Sequence, residues 1–182
     1  LIKLEDVAFE ISDRLVNPNK SIYDKFVGLE NFISGDIKIN TWQSTKDLVS
    51  SAKIFKKGDV LFARRNVYLK RASLVNFDGC CSGDAFVLRE NEELIINGFL
   101  VFILNSDQLW DFATANAAGT MSKRVKWRDL KEYRFLLPDK LTQKKICDLL
   151  NKFNELKENY NLIQNNLCNF LHSYINELFD TN

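Results

Sequence analysis

The last fifth of the chain sets the strongest constraint on the fold. Over residues 146–174 the apolar side chains fall at alternating spacings of three and four: Ile146, Leu149, Phe153, Leu156, Tyr160, Ile163, Leu167, Phe170 and Tyr174. This is the heptad rhythm of a helix that lays a narrow seam against a partner helix. No Pro or Gly interrupts it, and Glu, Lys, Asn and Gln occupy the outward positions. Pro138 stands just before it, and Thr142 is the expected N-cap. A helix over 142–179 would be roughly 55 Å long at about 1.5 Å per residue, too long for one small domain to bury. The segment reads as a spacer or assembly arm. Its seam favours a partner helix in another chain over a helix folded back on its own domain. Leu150, Leu171 and Leu178 widen the stripe, which also leaves room for a thicker bundle.

The remaining residues are enough for one domain of about 140 residues. With 46% apolar residues and 14 Phe over the whole chain, there is enough to fill a core. No apolar run approaches the roughly 20 residues of a membrane span, and no signal peptide opens the chain, although the first residue is Leu rather than Met. The four cysteines, Cys80, Cys81, Cys147 and Cys168, have neither metal-site nor disulfide-framework spacing. A reducing cytoplasm is the expected compartment.

The net charge of +1 conceals an uneven distribution. Residues 53–71 hold seven cations against Asp59, a local charge of +6, and residues 120–134 hold six against Asp129 and Glu132, a local charge of +4. All other residues therefore sum to −9. Two basic islands in an acidic background predict one face that meets a polyanion.

Along the chain the pattern is α+β. Residues 4–11 form a short amphipathic opening, and Asn17-Pro18-Asn19 is a turn signal. Short strands are predicted over 25–29 and 36–42, followed by a polar loop over 44–51. Lys57-Gly58-Asp59 is a tight turn feeding a strand over 60–63, with further strands over 72–77 and 85–88. Cys80 and Cys81 are expected to be buried in a strand. Residues 98–118 read as a helix capped by Gly119, residues 120–128 as a basic irregular loop, and 133–137 as the last strand. The expected fold class is α+β, a mostly antiparallel β domain with short helices over residues 1–138. One long coiled-coil α-helix follows over 139–182.

The loop after residue 63 concentrates side chains that read DNA. Arg64 and Arg65 can grip guanine through two hydrogen bonds, Asn66 can do the same to adenine, Tyr68 can stack, and Lys70 and Arg71 can hold the backbone. The second loop offers the hydroxyls of Thr120 and Ser122, backbone N–H groups and the cations Lys123, Arg124 and Lys126, a set suited to phosphates. Enzyme signatures are missing: there is no glycine-rich phosphate loop, and the single histidine, His172, lies on the arm. Pro138-Asp139 with Glu155-Leu156-Lys157 mimics the acidic spacing of a nuclease, but Glu155 would stand about four helical turns from Asp139, too far to share one Mg²⁺. The chain reads as a binder with no catalytic residue and no metal site.

Taken in order, these pieces resemble one family. The run Lys57-Gly58-Asp59-Val60-Leu61-Phe62-Ala63-Arg64-Arg65-Asn66-Val67-Tyr68-Leu69-Lys70-Arg71 is similar to the target recognition domains of the specificity (S) subunits of type I restriction–modification enzymes. So are Met121-Ser122-Lys123-Arg124-Val125-Lys126-Trp127, Phe135-Leu136-Leu137-Pro138 and Gln143-Lys144-Lys145-Ile146. In that family the last of these leads from the recognition domain into a conserved spacer helix. The resemblance covers essentially the whole chain. It implies a DNA-recognition subunit that reads a target in two parts separated by an unspecified gap. Its partners would be double-stranded DNA, methyltransferase (M) subunits and restriction (R) subunits. S-adenosylmethionine would belong to the methyltransferase and ATP with Mg²⁺ to the motor subunit, so no cofactor is expected here. The family's subunits usually carry two recognition domains and two spacer helices. One of each here implies a half-subunit, natural or a fragment, that pairs with a second half, expected to be an identical copy, through the seam.

At the matching positions Arg64, Arg65, Asn66 and Tyr68 are expected to face base edges, and Lys56, Lys70, Arg71, Ser122, Lys123, Arg124 and Lys126 to hold phosphates. Two alternatives stay open: a coiled-coil assembly protein without DNA contact, and the recognition module of a single-chain methyltransferase or nuclease.

Overall fold

A computed structural model describes residues 1–179. In chain order the strands are β1 (Ile2–Lys3), β2 (Ala8–Ile11), β3 (Arg14–Leu15), β4 (Lys25–Val27), β5 (Gln43–Ser44), β6 (Ala52–Phe55), β7 (Val60–Ala63), β8 (Ala72–Leu74), β9 (Gly79–Cys81), β10 (Ala85–Glu90) and β11 (Arg134–Phe135). The α-helices are α1 (Leu4–Val7), α2 (Leu100–Leu104), α3 (Asp107–Ala115), α4 (Trp127–Leu130) and α5 (Lys140–Phe179). The chain divides into two compact units, Leu1–Gln143 and Lys144–Asn182. The fold class is α+β, antiparallel-rich with short helices and a long carboxy-terminal helix.

The first unit is organised on β7. This strand is apolar and buried at all four positions, the mark of a strand covered on both faces. It pairs antiparallel with β10 and β8, and β2 adds to the far edge of β10, giving the order β2-β10-β7-β8. A second sheet runs β3-β6-β9-β4-β5, antiparallel except for the β4–β9 pair. On one face of β7, Leu61 joins Val87, Ala85, Phe55 and Cys81 in one core cluster. On the other face Phe62 stacks on Trp110 of α3 with ring centroids 4.7 Å apart, and lies 6.2 Å from Phe86. Period-2 alternation thus sends successive β7 side chains into two apolar layers, each large side chain contributing roughly 1.5–3 kcal/mol by burial.

Several sequence expectations are corrected in detail. Residues 36–42 form no ladder. Ile39 is buried, but the segment meets β8 through an isolated parallel bridge at Lys38 and Leu74, with Ile39 N–H donating to Leu74 O and Leu74 N–H to Ile37 O, and through the Ser73 hydroxyl donating to Asp36 O. Residues 72–77 form a strand only as far as Leu74, and 133–137 only at Arg134–Phe135. The single helix expected over 98–118 is two. Asn105 donates its amide to Ala72 O and Val101 O, and the Ser106 hydroxyl accepts from Leu109 N–H, starting α3 afresh. The helix ends at Ala115, so Gly119 is no C-cap; it sits four residues further on at φ +124°. The basic loop is shorter than expected because α4 begins at Trp127.

Helix α5 begins at Lys140, and its cap is Asp139 rather than Thr142. The Asp139 carboxylate accepts from Thr142 N–H at 2.8 Å and from its hydroxyl at 3.1 Å. Those bonds hold the Asp139 carboxyl below its usual range. Gln143 is almost fully buried. Its amide donates to Leu94 O and Pro138 O, and its oxygen accepts from Ile96 N–H. This satisfies three backbone groups of the first unit at the start of the helix. Cys80 and Cys81 lie in β9 as expected, with burial pushing their thiols up to about 11 and about 12. Among the described residues no helix is long and apolar enough to cross a membrane.

Candidate nucleic-acid interface

The first basic loop leaves β7 at Ala63 and is tied back immediately. Ala63 N–H donates to Arg71 O at 2.9 Å and Arg64 N–H to Asp84 O at 3.0 Å. Between them the chain makes a 3₁₀ turn, Val67–Leu69, with Val67 buried beneath it. Asn66 and Lys70 bracket the turn in the left-handed region, at φ 53° and φ 47°. Asn tolerates that conformation and Lys does not, so the turn is held by its surroundings rather than by local preference. Its result is an outward Tyr68, 66% exposed. Lys70 Nζ meets Asp107 of α3 at 2.6 Å, which raises the lysine pKa and lowers the aspartate's.

The second loop is laid against the first by backbone pairing. Ala118 and Arg124 form an antiparallel bridge that closes the excursion through Gly119, Thr120, Met121, Ser122 and Lys123. Arg65 and Arg124 form another bridge, with Asn66 N–H donating to Lys123 O at 2.8 Å and Val125 N–H to Arg64 O at 3.0 Å. Val125 is fully buried and pins this strand-like stretch. The two basic loops, far apart in sequence, are therefore one structural feature.

Asp84 lies at their centre, on the turn before β10. Its carboxylate takes two hydrogen bonds from Arg124, Nε to Oδ1 at 2.9 Å and Nη2 to Oδ2 at 3.2 Å. Arg64 Nε stands 3.8 Å from Oδ1 and Arg65 Nη1 3.7 Å from Oδ2. Those two distances exceed a hydrogen bond, so Arg64 and Arg65 feel the charge without spending donors on it. Arg64 lies over the Phe86 ring at 5.7 Å, and Arg65 Nη2 donates to Ser122 Oγ at 3.1 Å. Three guanidiniums around one carboxylate leave a surplus of two positive charges. Arg124's hydrogen bonds hold the Asp84 carboxyl below its usual range. Burial opposes this, and the charges of all three arginines reinforce it.

The other expected site residues divide clearly. Thr120, Lys123 and Lys126 are exposed beside the cluster, and Met121 is 97% exposed at the loop tip. Arg71 turns inward, donating to Leu29 O and Arg65 O, and its burial lowers its pKa. Lys56 lies at the opposite end of β7 from Arg64, where its N–H donates to Asp59. Asp84 was not among the residues the sequence singled out. An acidic residue in a Ser82-Gly83-Asp84 turn carries no local sign of three arginine partners.

On α5 the expected seam is largely uncovered. Leu149, Phe153, Leu156, Tyr160, Ile163, Leu167, Phe170 and Tyr174 are each 51% to 65% exposed, while Ile146 is partly buried. The Phe170 and Tyr174 rings stack along the helix at 6.3 Å.

An antiparallel-rich α+β domain, two basic loops paired at one end of its central strand, and a long helix with an apolar seam together define the class. The profile of the type I restriction modification DNA specificity domain matches residues 2–167, and the chain belongs to that family. Similar solved structures include one described as the structural basis of complex assembly and conformational transition of the type I R-M system, at 25% identity and TM-score 0.72, covering 88% of this chain and 43% of that one. The HsdS subunit from Thermoanaerobacter tengcongensis is similar at 24% identity and TM-score 0.68, covering 97% of this chain and 48% of that one. The S subunit of the type I system from M. genitalium follows at 16% identity and TM-score 0.60, covering 87% and 39%. The chain thus spans less than half the length of each. A comparison with curated proteins gives no match.

Proposed function

We propose that this chain is a DNA-reading half of a type I specificity subunit. It pairs through α5 with a second copy, and the pair presents a gapped two-part target to methyltransferase and restriction subunits. The observation that carries this reading is the convergence of the two basic loops, 64–71 and 119–125, on one end of the β7–β10 ladder, with three arginines sharing one carboxylate. A surplus of fixed positive charge beside exposed Tyr68, Lys123 and Lys126 suits a phosphate backbone and base edges together. Arg64, Arg65, Asn66 and Tyr68 take the base edges. Thr120, Ser122, Lys123 and Lys126 take phosphates, with Lys70 at the rim.

The role of α5 follows from its exposed seam. A helix of this length gains little from propensity alone and is stabilised by covering its apolar face. A second copy lying antiparallel would cover it and would supply the half that the longer relatives hold in one chain. The helix spans roughly 60 Å at about 1.5 Å per residue, and that length would set the number of unread base pairs between two reading heads.

The test is to map methylated positions on DNA treated with this chain and its methyltransferase. A palindromic gapped site is the expected result. No salt-sensitive DNA affinity, with methyltransferase present, would sink the reading. Leu156→Glu with Ile163→Glu should convert the dimer to a monomer in sedimentation and abolish methylation of the two-part site.

A further inference from the structure

We propose that Asp84 is a positioning residue of the DNA site: it locks Arg124 as a strut between the two basic loops and leaves Arg64 and Arg65 oriented but free to engage DNA. The inference rests on the DNA-reading function proposed above and changes the role of one of its arginines.

The geometry separates the three guanidiniums. Arg124 presents its Nε/Nη2 edge to Asp84 and spends both donors there, at 2.9 and 3.2 Å. That edge is one an arginine uses to fork onto a phosphate or a guanine, so a clamped Arg124 cannot also grip DNA with it. Arg64 and Arg65 stay at 3.8 and 3.7 Å and spend no hydrogen bond on Asp84; the Arg64 Nε is buried, so Arg64 would reach DNA through its terminal nitrogens. Each is steered by a second contact, Arg64 by the buried face of Phe86 and Arg65 by Ser122 Oγ. Asp84 is itself fixed through backbone, since its carbonyl accepts from Arg64 N–H and its own N–H donates to Ser82 Oγ. One carboxylate, anchored to β10, therefore sorts three like charges into one strut and two readers. It also adds a negative charge inside a site that meets a polyanion, which penalises indiscriminate phosphate binding more than a base-specific fit.

The experiment uses the full chain assembled with its methyltransferase subunit. The probes are a duplex enriched from a randomised library by the wild-type complex and a scrambled duplex of equal length. Asp84→Asn removes the charge and frees Arg124 for phosphate. Scrambled-duplex affinity should rise, its log–log salt slope should steepen by about 0.9, the value of one added phosphate contact, and preference for the enriched duplex should fall about tenfold. A purely structural Asp84 would weaken both probes alike and leave the slope unchanged, and that result overturns the proposal. Arg124→Gln supplies a second arm should Asp84→Asn fail to fold. With the strut gone, Arg64 and Arg65 are drawn onto Asp84, so preference should fall at least tenfold with little change in slope. A slope flatter by about 0.9 with preference intact would instead make Arg124 an ordinary phosphate contact and overturn the proposal. If the wild-type complex binds neither duplex in a salt-dependent way, the DNA reading itself fails. If it binds both and the variants match it, only the sorting role fails.

Discussion

The two ends of the β7–β10 ladder each carry a carboxylate beside arginine, and they solve opposite problems. At the end where Val60 faces Leu88, Asp59 is 1% exposed and meets a single guanidinium. Arg89 donates from Nε to Oδ1 at 2.7 Å and from Nη2 to Oδ2 at 2.9 Å, and Lys56 N–H adds a third bond at 2.8 Å. The carboxylate's charge and hydrogen bonding are both met within the fold. At the other end, where Ala63 faces Ala85, Asp84 is partly exposed and outnumbered three to one. The same chemical pair thus serves the fold when its stoichiometry closes and, in the function proposed here, serves binding when arginine is left in excess. Stoichiometry and exposure separate the two, not residue type.

The largest expected effect comes from breaking the closed end. Asp59→Ala leaves Arg89 unpaired over a core strand and the Lys56 N–H without its acceptor. It should lower stability by roughly 3 kcal/mol in urea unfolding, the low end for a buried pair because Arg89 keeps contact with water. Asp84→Ala should cost under about 1 kcal/mol, as the carboxylate and the guanidiniums around it are partly exposed. Equal losses at both ends would break the comparison. Next in size, Arg64→Ala with Arg65→Ala should leave unfolding nearly unchanged. Target affinity should drop by about 1–3 kcal/mol for each base that an arginine no longer grips.

The pH response sharpens the open end further. Asp84 is held below the ordinary carboxylate range, so its ion pairs contribute fully above the unfolded value and are lost only as pH falls through the still lower folded one. Stability and DNA affinity should therefore be insensitive to this group from about pH 5 to 8. A step in affinity within that window, abolished by Asp84→Asn, would show the carboxylate to be far less tightly held than its contacts require.

How much of this was legible in the sequence depends on whether the signal was local. The apolar run Val60-Leu61-Phe62-Ala63, framed by Gly58 at φ +94° and by Arg64, named the central strand because a strand buried on both faces must be apolar throughout. The heptad spacing named α5 to within two residues of its start, because helix periodicity is carried by the seam itself. The misses were non-local. Ile37 and Ile39 alternate like a strand, yet they form only one bridge, on the edge of β8 that β7 leaves open. Gln143 looked like a family motif residue, and its work is to close three backbone hydrogen bonds that no spacing reveals. Arg71 and Arg124 looked like DNA-facing cations. Whether an arginine's donors point outward or into carbonyls and carboxylates depends on the fold's return paths, through Leu29 for one and Asp84 for the other.

The smallest effect tests the comparison most directly, because it contrasts two exposed lysines of equal charge. Lys123 projects from the second loop beside the arginine surplus, whereas Lys56 stands at the Asp59 end, a four-residue strand of roughly 13 Å away from Arg64. A duplex lying across the open end meets Lys123 directly and reaches Lys56 only through screened charge over more than a Debye length. Lys123→Ala should flatten the log–log salt slope by about 0.9 and weaken all sequences alike. Lys56→Ala should leave the slope within error of the wild type. If Lys56→Ala flattens the slope as much as Lys123→Ala, the phosphate track runs along the whole length of β7, and the closed end is part of the DNA surface after all.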